Sequence, residues 1–182
     1  MKFIYIKKDQ CAGISELCHS VSCESELHIQ LAIRGYDDEM ELDEIKKIAE
    51  VGDRILIRFN GKLIPWIIVD KTNDGHLIMN SEDCLEKSKF DDKTNVWRDS
   101  YLRNYINSDE FAKKFDPEFI KLTQITDVHT DDYVTKDRFW IPCHEEVNCD
   151  AESAKWFKKN KGTKRLKYFT DNQSRIKNFY ED

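Results

Sequence analysis

The sequence predicts an α+β fold, in which an N-terminal β-hairpin appendage precedes a compact mixed domain. Three observations lead to this prediction: a run of strict alternation over residues 26–34, two β-rich runs joined by Asn-Gly, and helical spacing after residue 99. We therefore expect an appendage over residues 1–51 and an α+β domain over 52–182, with an antiparallel three-stranded meander and short helices.

The appendage is predicted from two strands and a helix. Residues 2–7 are rich in aromatic and β-branched side chains, and apolar residues occupy every second position from 27 to 33. A period of two is typical of a half-buried strand, so the two runs are expected to pair as a hairpin. Residues 43–50 have apolar positions at helical spacing and predict an amphipathic helix.

The meander is predicted from three β-rich runs and the turns between them. Asn60-Gly61 separates residues 54–59 from 62–70, and it suits a two-residue type I′ turn, whose residues both need positive φ. A second turn ending at Gly75 leads into residues 76–80. Pro65 cannot donate a hydrogen bond, so its part of the second strand is expected at an edge or a bulge.

Short helices are predicted in the second half of the chain. Asp99 or Ser100 can cap the first of them, and Asp116-Pro117 has the form of an N-cap followed by a first-turn proline. The remaining expected elements are short strands at 123–128 and 138–141 and short helices at 145–147 and 151–159.

Composition excludes several classes of protein. The chain has 182 residues and a net charge of −6, and no apolar run approaches the roughly 20 residues that span a bilayer. The first residues lack the features of a secretory signal, so we expect a cytoplasmic protein whose six cysteines are reduced. No zinc-type cysteine spacing occurs, and neither a metal nor a cofactor is expected.

The charge is unevenly distributed along the chain. Residues 155–167 hold seven basic residues and no acidic one, with aromatic residues among them, which favours a nucleic-acid backbone with unstacked bases. The alternative is a solvated lysine-rich helix and turn whose aromatic rings face inward. The candidate nucleic-acid-binding residues are Lys155, Lys158, Lys159, Lys161, Lys164, Arg165 and Lys167.

A candidate catalytic face lies on the second predicted strand. Glu26 and His28 supply the residue types for general acid–base cleavage of RNA without a metal, and Arg34 supplies a cation for the phosphorane. The alternative is an ordinary solvated strand face. Whether the chain is an enzyme therefore stays open, with metal-independent, ribonuclease-like activity as the candidate.

A second cluster lies at the start of a predicted helix and consists of Trp97, Arg98, Asp99, Ser100 and Arg103. Arg103 can bind a phosphate or a carboxylate in a bidentate manner. The alternative is structural: the tryptophan fills the core, Ser100 or Asp99 caps the helix, and Arg103 pairs with an acidic residue.

Three segments of the chain match the pattern of a known family: GDRILIRFNGKLIPWIIVDKTNDGHLIMNS, VWRDSYLRNYINSDEFAKKFDPEFIKLTQ and TKDRFWIPCHEEV. Through these segments, residues 52–170 resemble the bacterial domain family DUF6273, which occurs in Firmicutes and their prophages. It implies an α+β fold with a strand meander, distantly like a C-type lectin domain, and it assigns no catalytic residues.

In size and style the chain is also similar to phage-encoded anti-CRISPR proteins that act on type II systems. This similarity implies that the partners are a CRISPR effector nuclease and its guide RNA, with no membrane involved. The expected function is inhibition of the effector–guide complex, and metal-independent, ribonuclease-like damage to the guide RNA is the candidate route. The alternative is a non-enzymatic, lectin-like module that binds a ligand or a protein.

Overall fold

The computed structural model of the protein describes residues 1–36, 39–130, 133–143, 146–147 and 166–169. The chain divides into two compact units, one containing Met1–Leu85 and the other lying within Glu86–Ile176. Helices and strands occur in both, so the predicted α+β class is confirmed.

Unit 1 is built on a five-stranded antiparallel sheet with the strand order β2-β1-β3-β4-β5. The strands are β1 (Lys2–Ile6), β2 (Glu39–Glu41), β3 (Arg54–Phe59), β4 (Lys62–Lys71) and β5 (Leu77–Ser81). In the described residues of this unit, three α-helices accompany the sheet, α1 (Ile14–Ser20), α2 (Glu24–Ile33) and α3 (Leu42–Ile48), together with a 3-10 helix at Lys8–Gln10.

The predicted hairpin is wrong in its second strand, because residues 26–34 belong to helix α2. The partners of β1 are instead β2, through Phe3 and Met40, and β3, through Tyr5 and Ile55. Strand β1 therefore lies between β2 and β3 in a sheet that continues into the meander, and the expected boundary after residue 51 falls between paired strands of this sheet.

The alternation in residues 26–34 arises from two apolar stripes on one helix. Leu27 and Leu31 are buried, being 2% and 0% exposed, whereas Ile29 and Ile33 face away from them. Residues four apart share a helix face and residues two apart do not, so two stripes offset by two positions look like a strand. Helix α2 ends where Tyr36 N donates to Leu31 O, with Gly35 at φ 79° between them.

Helices α1 and α2 share a hydrophobic core with the sheet. The sheet side of this core includes Ile4 and Ile6 of β1 and Leu56 of β3, and the helical side includes Ile14 and Leu27. Burial of such apolar surface is the main favourable contribution to folding. Residues 1–36 are thus part of the structure of unit 1 and cannot be removed without exposing its core.

The predicted three-stranded meander is confirmed as β3, β4 and β5. Asn60 and Gly61 have φ values of 48° and 78°, as a type I′ turn requires. Pro65 was expected at an edge or a bulge, but it pairs with Leu56 in the central strand β4. The backbone carbonyl of Pro65 accepts from the backbone N of Glu82, just beyond β5. Because the N and the C=O of one strand residue point to the same side, the N–H that proline lacks would have pointed towards β5. The ladder between β4 and β3 therefore loses no hydrogen bond at Pro65.

Unit 2 contains short helices and a two-stranded sheet. The helices are α4 (Tyr101–Ile106), α5 (Asp109–Ala112) and α6 (Pro117–Leu122), and the strands are β6 (Thr126–Thr130) and β7 (Tyr133–Asp137). Ser100 and Asp116 cap α4 and α6 as predicted. The expected strand at 138–141 is wrong, since the strand that pairs with β6 ends at Asp137. The helix expected at 151–159 lies outside the described residues.

Candidate functional site

The three predicted catalytic residues lie on α2 and at its C-terminal end. All three side chains, Glu26, His28 and Arg34, are exposed. Glu26 and His28 are two residues apart, so on a helix of 3.6 residues per turn they project about 160° from each other. They cannot both reach the same 2′-hydroxyl and leaving oxygen, because the expected strand face that would have aligned them does not exist.

The partner of His28 is Glu24, one helical turn earlier. His28 Nε2 lies 3.4 Å from Glu24 Oε1. The guanidinium of Arg58 on β3 donates to both carboxylate oxygens of Glu24, with a distance of 2.5 Å from Nη2 to Oε1. This hydrogen bonding holds the pKa of Glu24 below its ordinary value. Through Arg58, Glu24 therefore links the start of α2 to the sheet. Through its contact with His28 it also orients the imidazole.

The outward side of α2 is apolar, although it faces solvent. Ile29 and Ile33 are 61% and 74% exposed, and they lie one turn apart on the side opposite the buried leucines. Ser25, Glu26 and Ala32 flank them and are also exposed. Single exposed apolar residues are common, but two adjacent ones on a helix that is already packed on its other face form a contiguous patch. We refer to these five residues as the outer face of α2.

The cluster around Trp97 is structural. Asp137 on β7 is buried, and its carboxylate accepts from Trp97 Nε1 at 2.9 Å and from Arg103 Nε at 2.8 Å. Thr135 Oγ1 donates to the same carboxylate at 2.6 Å, and Ser100 Oγ accepts from Arg103 N at 3.1 Å. Arg103 thus pairs with an acidic residue and Ser100 caps α4, as the structural alternative predicts.

A cluster of three polar side chains, Ser15, His19 and Asp83, links α1 to the segment that follows β5. Ser15 Oγ donates to Asp83 Oδ2, and His19 Nε2 lies 3.5 Å from the same oxygen. In a serine triad the imidazole stands between the hydroxyl and the carboxylate, whereas here the carboxylate stands between the other two groups. The arrangement therefore does not activate Ser15 as a nucleophile.

The five described cysteines are free thiols with contrasting environments. Burial raises the pKa of Cys11 to about 11 and that of Cys18 to about 12. Cys23 is exposed at the start of α2, and its hydrogen bond with Ser25 lowers the pKa of the thiol. Within the described part of the chain, no three His, Cys, Asp or Glu side chains come together as a metal site would require.

Unit 2 carries an aromatic stack in which one ring is exposed and the other is half-buried. The rings of Tyr101 and Tyr105 are parallel to within 4°, with centroids 5.9 Å apart, and Tyr101 is 46% exposed. Lys89 Nζ lies 5.3 Å from the centroid of the Tyr101 ring and also pairs with Asp92. Hydrogen-bonding groups thus lie beside an exposed aromatic ring.

Most of the predicted nucleic-acid-binding stretch lies outside the described residues. Lys167 is described, and it is exposed. Lys155, Lys158, Lys159, Lys161, Lys164 and Arg165 remain predictions from the sequence.

Sequence reasoning missed the residues that come from distant parts of the chain. Arg58 and Asp83 contact Glu24 and Ser15 across 34 and 68 positions. No local pattern links such positions. The outer face of α2 was visible in the sequence as the isoleucines at 29 and 33, but the alternation led to a strand.

The described residues include no helix with the length and apolarity needed to cross a membrane. Neither the curated proteins nor the solved structures include one that matches this chain. One family does match: residues 74–182 correspond to the family described as "Domain of unknown function (DUF6273)", which is more than half of the chain. The chain therefore belongs to the DUF6273 family.

Proposed function

We propose that this chain is a mobile-element-encoded anti-CRISPR inhibitor that acts in the bacterial cytoplasm. Its partner is a type II effector nuclease in complex with guide RNA. It inhibits by occupying a surface of this complex, with the N-terminal helices making the decisive contact.

The observation that supports this proposal is the exposure of Ile29 and Ile33 on the outer face of α2. Full burial of an isoleucine side chain is worth about 1.5–3 kcal/mol, so two of them supply a substantial part of a binding free energy. Leu27 and Leu31 anchor the helix on its inner side, whereas the second apolar stripe stays mostly exposed within the described part of the chain. Docking on a partner would bury it.

The proposed mode is binding rather than cleavage of the guide RNA. Glu26 and His28 project from different sides of α2, so they do not form an acid–base pair on one phosphodiester. His28 is instead held by Glu24, whose carboxylate is already engaged by Arg58. In this proposal the basic residues 155–167 contact the guide RNA backbone and add affinity without chemistry.

A cleavage assay tests the proposal. The purified chain is added to type II effectors loaded with guide RNA, target DNA cleavage is measured, and the guide RNA is then examined on a denaturing gel. The expected result is inhibited cleavage with full-length guide RNA. Full effector activity at a large molar excess of the chain, across the panel of effectors, contradicts the proposal.

A second candidate function is a lectin-like binding module. It is favoured by the Tyr101–Tyr105 stack, because an exposed aromatic ring beside Lys89 and Asp92 offers both a flat surface and hydrogen bonds to a sugar. The test is binding to a glycan array, with Tyr101→Ala as the variant. Glycan binding that Tyr101→Ala abolishes, together with no effect on any effector, favours this candidate over the inhibitor.

A further inference from the structure

We propose that the outer face of α2 inserts into an apolar groove with a basic rim on the protein component of the nuclease. This inference rests on the proposed function and specifies the chemistry of the surface that receives the chain.

The apolar part of the docking surface is a pair of anchors. Ile29 and Ile33 are four residues apart, and side chains at this spacing enter one groove when an amphipathic helix binds. Ser25 and Ala32 beside them are small, so the wall of a groove can approach the helix backbone closely. This shape suits a protein groove better than a flat base-stacking surface, which needs aromatic or guanidinium groups.

The charge on this face indicates the charge of the surface that it binds. Glu26 is the one ionisable residue among the five of the outer face, so no cation stands on this face beside its carboxylate, which accepts from Ser22 N and Ser22 Oγ at the start of the helix. RNA phosphates would be repelled by its carboxylate, and a second copy of this face would offer it no cation. A groove bordered by Arg or Lys complements it, because opposite potentials across an interface favour both encounter and register.

The helix is already held in its binding conformation. Leu27 and Leu31 fix its inner side, and the bidentate contact of Arg58 with Glu24 fixes its first turn. A rigid element loses little conformational entropy on binding. The two isoleucines therefore act as preformed anchors. The free energy gained by burying them is not offset by an entropic cost of ordering the helix.

The experiment measures affinity for purified type II effector without RNA, effector with guide RNA, and guide RNA alone. Wild-type chain is expected to bind the effector in the absence of RNA. Ile29→Glu and Ile33→Glu are each expected to weaken binding at least about tenfold, as hot-spot anchors do, and Glu26→Lys is expected to weaken it to a smaller extent. Ile125→Glu in unit 2 is the matched control, because Ile125 is 62% exposed, and it is expected to bind like wild type.

Each other outcome overturns the inference. Wild-type chain that neither binds nor inhibits any effector overturns the proposed function together with this docking mode. Inhibition that survives in Ile29→Glu and Ile33→Glu at wild-type affinity overturns the docking mode alone, as does binding to guide RNA but not to the free effector. A dimer of the chain that Ile29→Glu dissociates would place a second copy on this face. Circular dichroism checks folding, and Ile29→Ala and Ile33→Ala provide milder variants with good helix propensity.

Discussion

Arg103 Nε lies 2.8 Å from Oδ1 of Asp137, and the carboxylate of Asp137 is fully buried. The same carboxylate accepts from Trp97 and Thr135. A buried carboxylate with this many donors holds together β7, α4 and the turn that carries Trp97. The polar residues that most resemble a ligand site in the sequence therefore serve the stability of unit 2.

Replacing the buried carboxylate tests this structural role. Asp137→Ala leaves Arg103 Nε and Trp97 Nε1 without the carboxylate that accepts from them, and removal of one partner from a buried pair costs about 3–5 kcal/mol. Urea unfolding followed by circular dichroism should show this loss. The exposed pair of Asp127 and Lys136 provides the control, because Asp127→Ala should barely change the urea midpoint.

The turn between β3 and β4 depends on positive φ at Gly61. Gly61→Ala places a Cβ at φ 78°, and a left-handed conformation costs roughly 1–2 kcal/mol for a residue with a side chain. We expect a corresponding decrease in the free energy of unfolding. Asn60→Gly, which relieves rather than adds strain in the same turn, should be close to neutral. Equal losses in both variants would contradict this account.

The thiols should react with alkylating agents in a defined order. Only the thiolate is nucleophilic, and burial raises the pKa of Cys11 and Cys18, while a hydrogen bond with Ser25 lowers that of Cys23. Brief treatment with iodoacetamide near neutral pH, followed by peptide mass spectrometry, should find Cys23 modified long before Cys11 and Cys18. In denaturant the difference should disappear, and a native protein that labels all three at one rate would rule out their assigned environments.

The contact between Glu24 and Arg58 should make the attachment of α2 sensitive to acid. Arg58 lowers the pKa of Glu24 in the folded chain, so the contact stabilises the protein above the unfolded pKa of the carboxyl and is lost as the pH falls through the lower folded value. Wild type and Arg58→Ala should therefore differ in urea midpoint at about pH 7 and converge towards about pH 3. The effect is modest because Glu24 is partly exposed. A constant difference between these two pH values would show that Arg58 acts through packing alone.

A binding inhibitor does not need the imidazole of His28 for chemistry. His28→Ala should inhibit the effector as well as wild type does, and the guide RNA should remain full-length with either protein. The measurement is target cleavage together with a denaturing gel of the guide RNA. Shortened guide RNA with wild type that becomes intact with His28→Ala would restore the catalytic interpretation. Glu26→Gln in the same assay would then test the second group.

The elements that the sequence by itself determined are those with a local cause. Asn60-Gly61 favours positive φ at both positions, Ser100 caps α4 through its own hydroxyl, and Asp116-Pro117 starts α6 in the first turn. Each of these depends on residues within three or four positions. The α+β class and the meander followed from such signals.

Tertiary structure alone decided the conformation of residues 26–34 and the partners of the buried charges. The alternation at 27, 29, 31 and 33 fits a strand with one buried face and also a helix with two apolar stripes, and the helix is the state in which Leu27 and Leu31 reach the core shared with Ile4, Ile6 and Leu56. The pairing of β1 with β3, and of Arg103 with Asp137, likewise joins positions that no local pattern relates. Contacts between distant residues form because they bury apolar surface and satisfy hydrogen bonds in the folded chain as a whole. A pattern that spans a few residues carries no information about which distant residues meet.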